Sequence, residues 1–245
     1  MIARTGLSQP GFGYTAAVFS VASGVEGMRS TTILALLGFG LVASSPAFAV
    51  ESFPGTNVGP IPDAPAGSPS CGVNNLGQPR VISFNVSNLV YPVVGVSLSM
   101  NINHTWRGDL VVKLAAPGGS PSKIIFSHTG SNVPNGCGHN GILNGLYTFE
   151  DTGQRDWWGS SFPTVPTGSY RAALPGGADP GGAATLISPD FRNLSPELAN
   201  GTWTLTFWDA GDPTPGQPGS GTGTVNAATL MIDQTDLIFA NGFNS

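Results

Sequence analysis

Hydrophobic and polar residues alternate along residues 93–103, and this pattern predicts a β-strand. The apolar positions recur at every second residue, at Val94, Val96, Leu98, Met100 and Ile102. The residues between them are small or polar, so one face of the strand would be buried and the other would meet solvent. A polar corner follows at residues 104–109, and a second alternating run leads to a Pro-Gly-Gly turn at residues 117–119. The stretch therefore predicts two strands joined by a corner that carries His, Trp, Arg and Asp.

Three further segments show the same period of two. They contain Ile82, Phe84 and Val86; Trp203, Leu205 and Phe207; and the run of residues 223–232. Only 9% of the residues are charged, while 35 are Gly and 21 are Pro, a composition that favours turns over long surface helices. We therefore expect an all-β protein with about eight strands over residues 81–233 and almost no helix.

The net charge of −5 limits the classes of partner. Nucleic acids and anionic membranes bind basic surfaces, and a mildly acidic chain offers no such surface. We predict neither nucleic acid nor membrane as a partner.

Residues 28–49 have the three parts of a secretory signal peptide. Arg29 provides the charged start, residues 33–42 an apolar core, and Ala47-Phe48-Ala49 a small-x-small cleavage site. A membrane anchor is the alternative, but the apolar core is too short to span a bilayer. We expect cleavage after Ala49 and a secreted protein, either extracellular or periplasmic. Residues 1–27 then represent a mis-assigned start or an unstructured segment.

The rest of the chain divides by composition. Residues 50–80 are rich in Pro and Gly and predict an extended leader. Residues 81–233 form the folded domain, and residues 234–245 form a C-terminal tail. Cys71 and Cys137 are the only cysteines, and a secreted protein with two cysteines is expected to form one disulfide. Zinc is the weaker alternative, because His139 near Cys137 lacks further ligands.

Three motifs resemble the P domain, or Homo B domain, of kexin- and furin-like proprotein convertases and of secreted bacterial proteases. In that family a strand leads into His-Thr-(aromatic)-Arg-Gly-Asp-Leu, then a second strand and a Ser/Ala-Pro-x-Gly turn. Residues 104–110 read His-Thr-Trp-Arg-Gly-Asp-Leu, and residues 116–119 read Ala-Pro-Gly-Gly. The Trp-x-Leu strand from Trp203 and the closing Gly-Thr strand from Gly223 resemble the end of the family's domain. One difference is Ala228, which stands where the family usually has Trp.

This resemblance implies a single jelly-roll-like β-sandwich that carries no catalytic residues, because convertases keep their catalytic triad in a separate domain. We expect a secreted module that binds or stabilises an extracellular protein, with a protease as one candidate. Two alternatives remain: an accessory part of a subtilisin-like serine endopeptidase system, and a sandwich that binds carbohydrate or another surface through Trp157 and Trp158. The chain has three His and no Gly-x-Ser-x-Gly motif, which favours a protein that is not an enzyme.

Acidic residues at predicted strand ends indicate a metal site. Asp109, Asp151, Asp209 and Asp212 all occupy turns, and alternate strand ends of a sandwich meet at one rim. Calcium prefers carboxylate and carbonyl oxygens from such loops, so we predict a calcium site, with capping of turns by the same residues as the alternative. Residues 107–109 also spell Arg-Gly-Asp, the integrin-binding tripeptide, but we expect them to hold the corner instead.

Overall fold

The computed structural model describes residues 48–67, 71, 76–133, 136–159, 163–177, 182–211 and 221–235, all within one compact unit. The predictions for residues 1–47, for Asp212 and for the tail after residue 235 lie outside these residues. The described part is mostly strand: β1 Phe48–Thr56, β2 Gly59–Ile61, β3 Arg80–Val86, β4 Val93–His104, β5 Leu110–Ala115, β6 Ser122–Ser127, β7 Leu143–Phe149, β8 Gly168–Tyr170, β9 Ala172–Ala173, β10 Ala184–Thr185, β11 Gly201–Asp209 and β12 Gly223–Thr235.

Helix is limited to short pieces. There are two single-turn α-helices, α1 (Ser188–Phe191) and α2 (Pro196–Ala199), and two 3₁₀ turns at Arg107–Asp109 and Pro117–Gly119. No helix in the described part of the chain is long and apolar enough to cross a membrane. The predicted all-β single domain is confirmed, although the strands outnumber the eight that the sequence pattern predicts.

The strands form two layers that share one strand. One layer pairs β12 with β2 and β4 and continues through β7 to β8, and the other has the order β3, β11, β5 and β6. Strand β1 belongs to both layers: Phe48 to Pro54 pair with β12, and Gly55 and Thr56 pair with β3. The crossing requires Gly55, because a Cβ there would lie 2.6 Å from Cγ2 of Ile82.

Strands β1 and β2 lie in a segment for which the sequence predicts an extended leader. The fold therefore begins well before Val81, and the predicted cleavage after Ala49 would remove the first two residues of β1. The sequence pattern does not predict this strand, because Pro54 and Gly55 both disfavour strand interiors. The structure tolerates them at the point where β1 leaves one layer for the other.

The predicted alternation determines which side chains enter the core. In β4, Val96, Leu98, Met100 and Ile102 are buried, and the residues between them are partly or fully exposed. In β11, Trp203, Leu205 and Phe207 are buried, and the threonines between them are not. The two faces meet in one hydrophobic core between the layers. Burial of such side chains from both layers is the main stabilising term of a sandwich.

Aromatic rings connect the two layers at one end of the core. Phe126 of β6 stacks on Phe149 of β7 with ring centroids 5.4 Å apart, and Trp157 lies 4.6 Å from Phe126 and 4.9 Å from Phe149. Tyr147 and Tyr170 pack edge-on against Trp157. Each such pair contributes about 0.5–1.5 kcal/mol beyond its buried area. The cluster fixes the loop after β7 against β6.

Candidate functional site

Strand ends from both layers meet at one rim of the sandwich. The register places Ile61 of β2, Gly223 of β12, His104 of β4 and Leu143 of β7 in one row. In the other layer Asp209, the last residue of β11, pairs with Leu110, the first residue of β5. The turn between β4 and β5 therefore brings His104, Asp109 and Asp209 together.

His104 connects the two layers at this rim. Its Nε2 lies 2.9 Å from Oδ2 of Asp209, and its Nδ1 accepts a hydrogen bond of 3.1 Å from the backbone N–H of Trp106. Because Nδ1 is an acceptor, the proton of the neutral ring is on Nε2, which donates to Asp209. The other oxygen of Asp209 accepts from the backbone N–H of Gly211 at 2.8 Å. Gly223 closes over the ring, since a Cβ there would lie 2.0 Å from Cδ2 of His104.

Asp109 is fully buried, and neither of its carboxylate oxygens has a hydrogen-bond partner among the described residues. Its Oδ1 lies 3.7 Å from Nδ1 of His104, a ring nitrogen that already accepts the Trp106 bond. Burial raises the pKa of Asp109 well above its ordinary value, and the charges of Asp209 and Asp63 add to this effect. One ligand atom from each of His104, Asp109 and Asp209 lies within 4.8 Å of the other two.

Asp63 adds a third carboxylate that the sequence analysis does not predict. It follows β2 and lies within hydrogen-bonding reach of the Asp209 carboxyl, and burial together with the charge of Asp209 raises its pKa. Gly77 holds this segment in place: its N–H donates to the carbonyl of Asp209 at 2.7 Å, and a Cβ there would lie 2.4 Å from the carbonyl oxygen of Pro62. The position of Asp63 depends on the pairing of β2 with β12, and the composition of this segment does not predict that pairing.

The structure brings together two of the four predicted metal residues, Asp109 and Asp209. Asp151 is elsewhere: Leu143 pairs with His104 and Phe149 with Leu98, so Asp151 lies near the opposite end of β4, about 26 Å from His104 along the strand. Its Oδ1 accepts from the backbone N–H groups of Ile187 and Ser188. Asp151 therefore caps the turn before α1, apart from Asp109 and Asp209.

Arg107 turns away from the acidic cluster into the space under Trp157. Its guanidinium donates to the carbonyl oxygen of Trp157 at 2.9 Å, lies 3.0 Å from Nδ1 of His139 and stands 5.4 Å from the centre of the Trp157 ring. Burial lowers its pKa to about 10. Because Arg107, Gly108 and Asp109 are all buried, the tripeptide has no surface to present to an integrin.

The predicted disulfide joins Cys71 to Cys137 and holds the loop that packs on this corner. Nε1 of Trp106 donates to the carbonyl oxygen of Cys137 at 2.7 Å, and the N–H of Gly108 donates to that of His139 at 2.9 Å. A Cβ on Gly108 would lie 2.3 Å from the Cys137 oxygen, so only glycine fits there. The disulfide, the loop and the corner are thus one packed unit.

The aromatic pair considered for sugar binding is not displayed. Trp157 is 1% exposed in the aromatic cluster, and Nε1 donates to Oγ1 of Thr129 at 3.0 Å. Trp158 is only partly exposed, and its ring packs on Gly182. A buried Trp157 cannot stack on a sugar ring, so this prediction is wrong for Trp157.

The histidines do not form part of a catalytic triad in the described part of the chain. His104 bonds to Asp209 and to a backbone N–H, and His139 contacts Arg107. Both ring nitrogens of His128 are without a hydrogen-bond partner among the described residues. None of these rings bonds to a Ser, Thr or Cys side chain in the described residues. A nucleophile activated by histidine, as Ser-His-Asp hydrolysis requires, is not assembled from them.

Comparison with known protein families finds a match over the first of the motifs singled out in the sequence. The family described as "Proprotein convertase P-domain" matches residues 93–140, which hold β4, the corner, β5, β6 and Cys137. None of the curated proteins matches the chain. Two solved structures of the serine protease of Aeromonas sobria, one of them in complex with a chaperone, are similar at 16% identity and cover 78% of this chain, with TM-scores of 0.38 and 0.39. The chain spans 28% of the length of either protease chain. The resemblance that the sequence predicts is thus confirmed over residues 93–140, which match the proprotein convertase P-domain family.

Proposed function

We propose that the chain is a secreted, non-catalytic P-domain module that binds and stabilises an extracellular serine protease. The observation that carries this proposal is that the residues of the family signature are buried inside the fold. His104, Arg107 and Asp109 are all buried: His104 bonds to Asp209 at the rim, and Arg107 donates to the Trp157 carbonyl. A signature used in this way holds a domain together and leaves substrate chemistry to another protein.

The class of partner follows from the family. The family's description names the P domain as a domain of proprotein convertases, and the resemblance implies that their catalytic triad lies in a separate domain. A module of this kind contributes to its protease by packing against it, and any ligand that binds only the folded state of a protein stabilises that state by mass action. A secreted location is consistent with the disulfide between Cys71 and Cys137, since such bonds persist in oxidising compartments.

The test uses the secreted protein as bait in the medium of the cells that produce it. Captured proteins are treated with a fluorophosphonate probe, which labels active serine hydrolases. We expect one labelled protease in the captured fraction, and we expect the heat-inactivation half-life of that protease to lengthen when the bait is added back. Bait that has been reduced and denatured serves as the control.

Two results would contradict the proposal. Capture of proteins that do not react with the probe would point to an extracellular partner of another class. Hydrolysis of peptide substrates by the purified bait alone would show that the chain is itself an enzyme.

A further inference from the structure

We propose that Asp109 and Asp209 hold a calcium ion at the rim of the sandwich, with Asp63 as a flanking carboxylate. The starting observation is the environment of Asp109, which is fully buried and has two oxygens without a hydrogen-bond partner among the described residues. An ionised carboxylate in such a place costs several kcal/mol unless a cation or a proton neutralises it. Protonation would remove the charge but leave both oxygens without a hydrogen-bond partner, whereas a bound cation would supply a partner to them.

The side chains around Asp109 do not supply that positive charge. His104 uses Nδ1 as an acceptor for the Trp106 N–H and Nε2 as a donor to Asp209, which corresponds to the neutral ring. The guanidinium of Arg107 is directed to the Trp157 carbonyl and to His139. Three carboxyl groups, those of Asp63, Asp109 and Asp209, thus gather around one neutral imidazole, and a divalent cation would offset two of their charges.

The atoms at the rim that could bind a cation are carboxylate oxygens. Neither oxygen of Asp109 has a hydrogen-bond partner among the described residues, and the two oxygens of Asp209 accept from His104 and Gly211, with the Asp63 carboxyl within reach. The candidate ligand atoms lie within 4.8 Å of one another, which is the separation of two ligands across an ion with bonds of about 2.4 Å. Calcium takes oxygen ligands at that distance, whereas zinc would need an imidazole nitrogen that is already occupied.

His104 then has a positioning role. It holds Asp209 through the 2.9 Å bond from Nε2, and the Trp106 N–H fixes the tautomer of the ring. Hydrogen bonds of this kind orient carboxylate ligands in metal sites and raise their affinity. Asp151, another of the predicted metal residues, lies near the other end of β4 and provides a matched control for the charge change.

The experiment measures the metal content and the melting temperature of the purified protein. After dialysis against a chelator and then against calcium, we expect one calcium per chain by elemental mass spectrometry. At a calcium concentration a hundredfold above the dissociation constant, we expect the melting temperature to rise by about 5–10 °C relative to chelator. Asp109→Asn should bind no calcium and lose the shift, and Asp151→Asn should keep both.

Three results would overturn the proposal. They are wild-type protein that holds no calcium and melts at the same temperature with and without chelator, Asp109→Asn protein that keeps the shift, and a response to zinc at lower concentration than to calcium. The metal content of the wild type decides the question even if Asp109→Asn fails to fold. None of these measurements depends on a protease partner, so this proposal can fail independently of the proposed function.

Discussion

Nε2 of His104 donates a hydrogen bond of 2.9 Å to Oδ2 of Asp209, and both side chains are completely buried. The two residues are separated by 105 positions in the chain, one at the end of β4 and the other at the end of β11. Because these strands belong to different layers, the bond joins the layers at the rim where the hydrophobic core ends. It is the polar counterpart of the aromatic cluster that connects β6 with β7.

Replacing His104 with Phe should destabilise the protein by about 3 kcal/mol. Phe fills the volume of the ring but leaves the Asp209 carboxylate and the Trp106 N–H without their hydrogen bonds in a buried place. The change in the free energy of unfolding can be measured by urea denaturation in the presence of chelator.

The matched control for this variant is Lys123→Ala. Lys123 and Asp190 form an ion pair of 2.8 Å between partly exposed side chains, and such pairs contribute up to about 1 kcal/mol. Equal losses for the two variants would show that the buried bond between the layers has no special importance.

Replacing Gly108 with Ala should destabilise the corner more than a glycine substitution in open space. The new methyl group would meet the backbone oxygen of Cys137 at 2.3 Å and the backbone nitrogen of His139 at 2.4 Å, and neither can move without shifting the disulfide loop. We expect a loss of about 2–3 kcal/mol.

Gly67→Ala is the control for this substitution, because its methyl group would meet nothing within 4 Å and only its positive φ of 80° is unfavourable. Its cost should be about 1 kcal/mol. Thermal melts of both variants, with Trp fluorescence as the readout, test the difference. Similar losses would mean that the corner has room for a side chain.

The disulfide should contribute about 4 kcal/mol to stability. Cys71 and Cys137 are 66 positions apart, and closing a loop of that length removes conformational entropy from the unfolded chain. We expect no free thiol in the denatured secreted protein, and we expect the double variant Cys71→Ser and Cys137→Ser to unfold at lower urea concentration. Two reactive thiols in the wild-type protein would contradict the prediction.

His128 should make the protein lose stability as the pH falls below about 6.5. The side chain is fully buried, and burial lowers its pKa below the ordinary value. Between the lowered pKa of the folded state and the ordinary pKa of the unfolded chain, the unfolded chain binds more protons, so stability rises with pH in that window. Urea midpoints measured from pH 7.5 to pH 5 give the slope.

Asn is the suitable replacement for this residue, because it stays neutral and accepts the positive φ of 44° found at His128. His128→Asn should be less stable than the wild type at pH 7.5, and its midpoint should change less with pH. The other titratable groups are the same in both proteins, so the difference between the two slopes isolates His128. Parallel slopes would contradict the role assigned to burial.

The sequence predicts the parts of the fold whose side chains repeat with a clear period. Strand β11 alternates throughout and β4 alternates from Val96 to Ile102, and the structure buries the predicted face of both runs, whereas Val94 is only partly buried. The disulfide is equally predictable, because two cysteines leave one possible pairing. Short-range regularity and simple counting are sufficient in these cases.

The acidic rim is only half predictable, because its geometry depends on strand register. Asp109 and Asp209 follow or end strands, so their convergence can be inferred, but Asp151 also follows a strand and lies at the other end. Asp63 is missed because β2 contains three residues and sits in a Pro-rich segment. Which strand end meets which other strand end is decided by pairing across more than a hundred positions, and a single sequence does not reveal that pairing.

The antiparallel ladder between the first and the last strand has a mechanical consequence. Phe48 lies opposite Thr235, so both ends of the described fold leave from the same end of the β1–β12 pair, which lies inside the sheet. Ladder bonds of an antiparallel pair run perpendicular to the strands. A force that pulls these two ends apart acts along the bonds and opens them one pair at a time, starting at Phe48 and Thr235. Under such tension the β1–β12 pair would open from this end, because the hydrogen bonds between the two strands would bear the force one after another and not all at once.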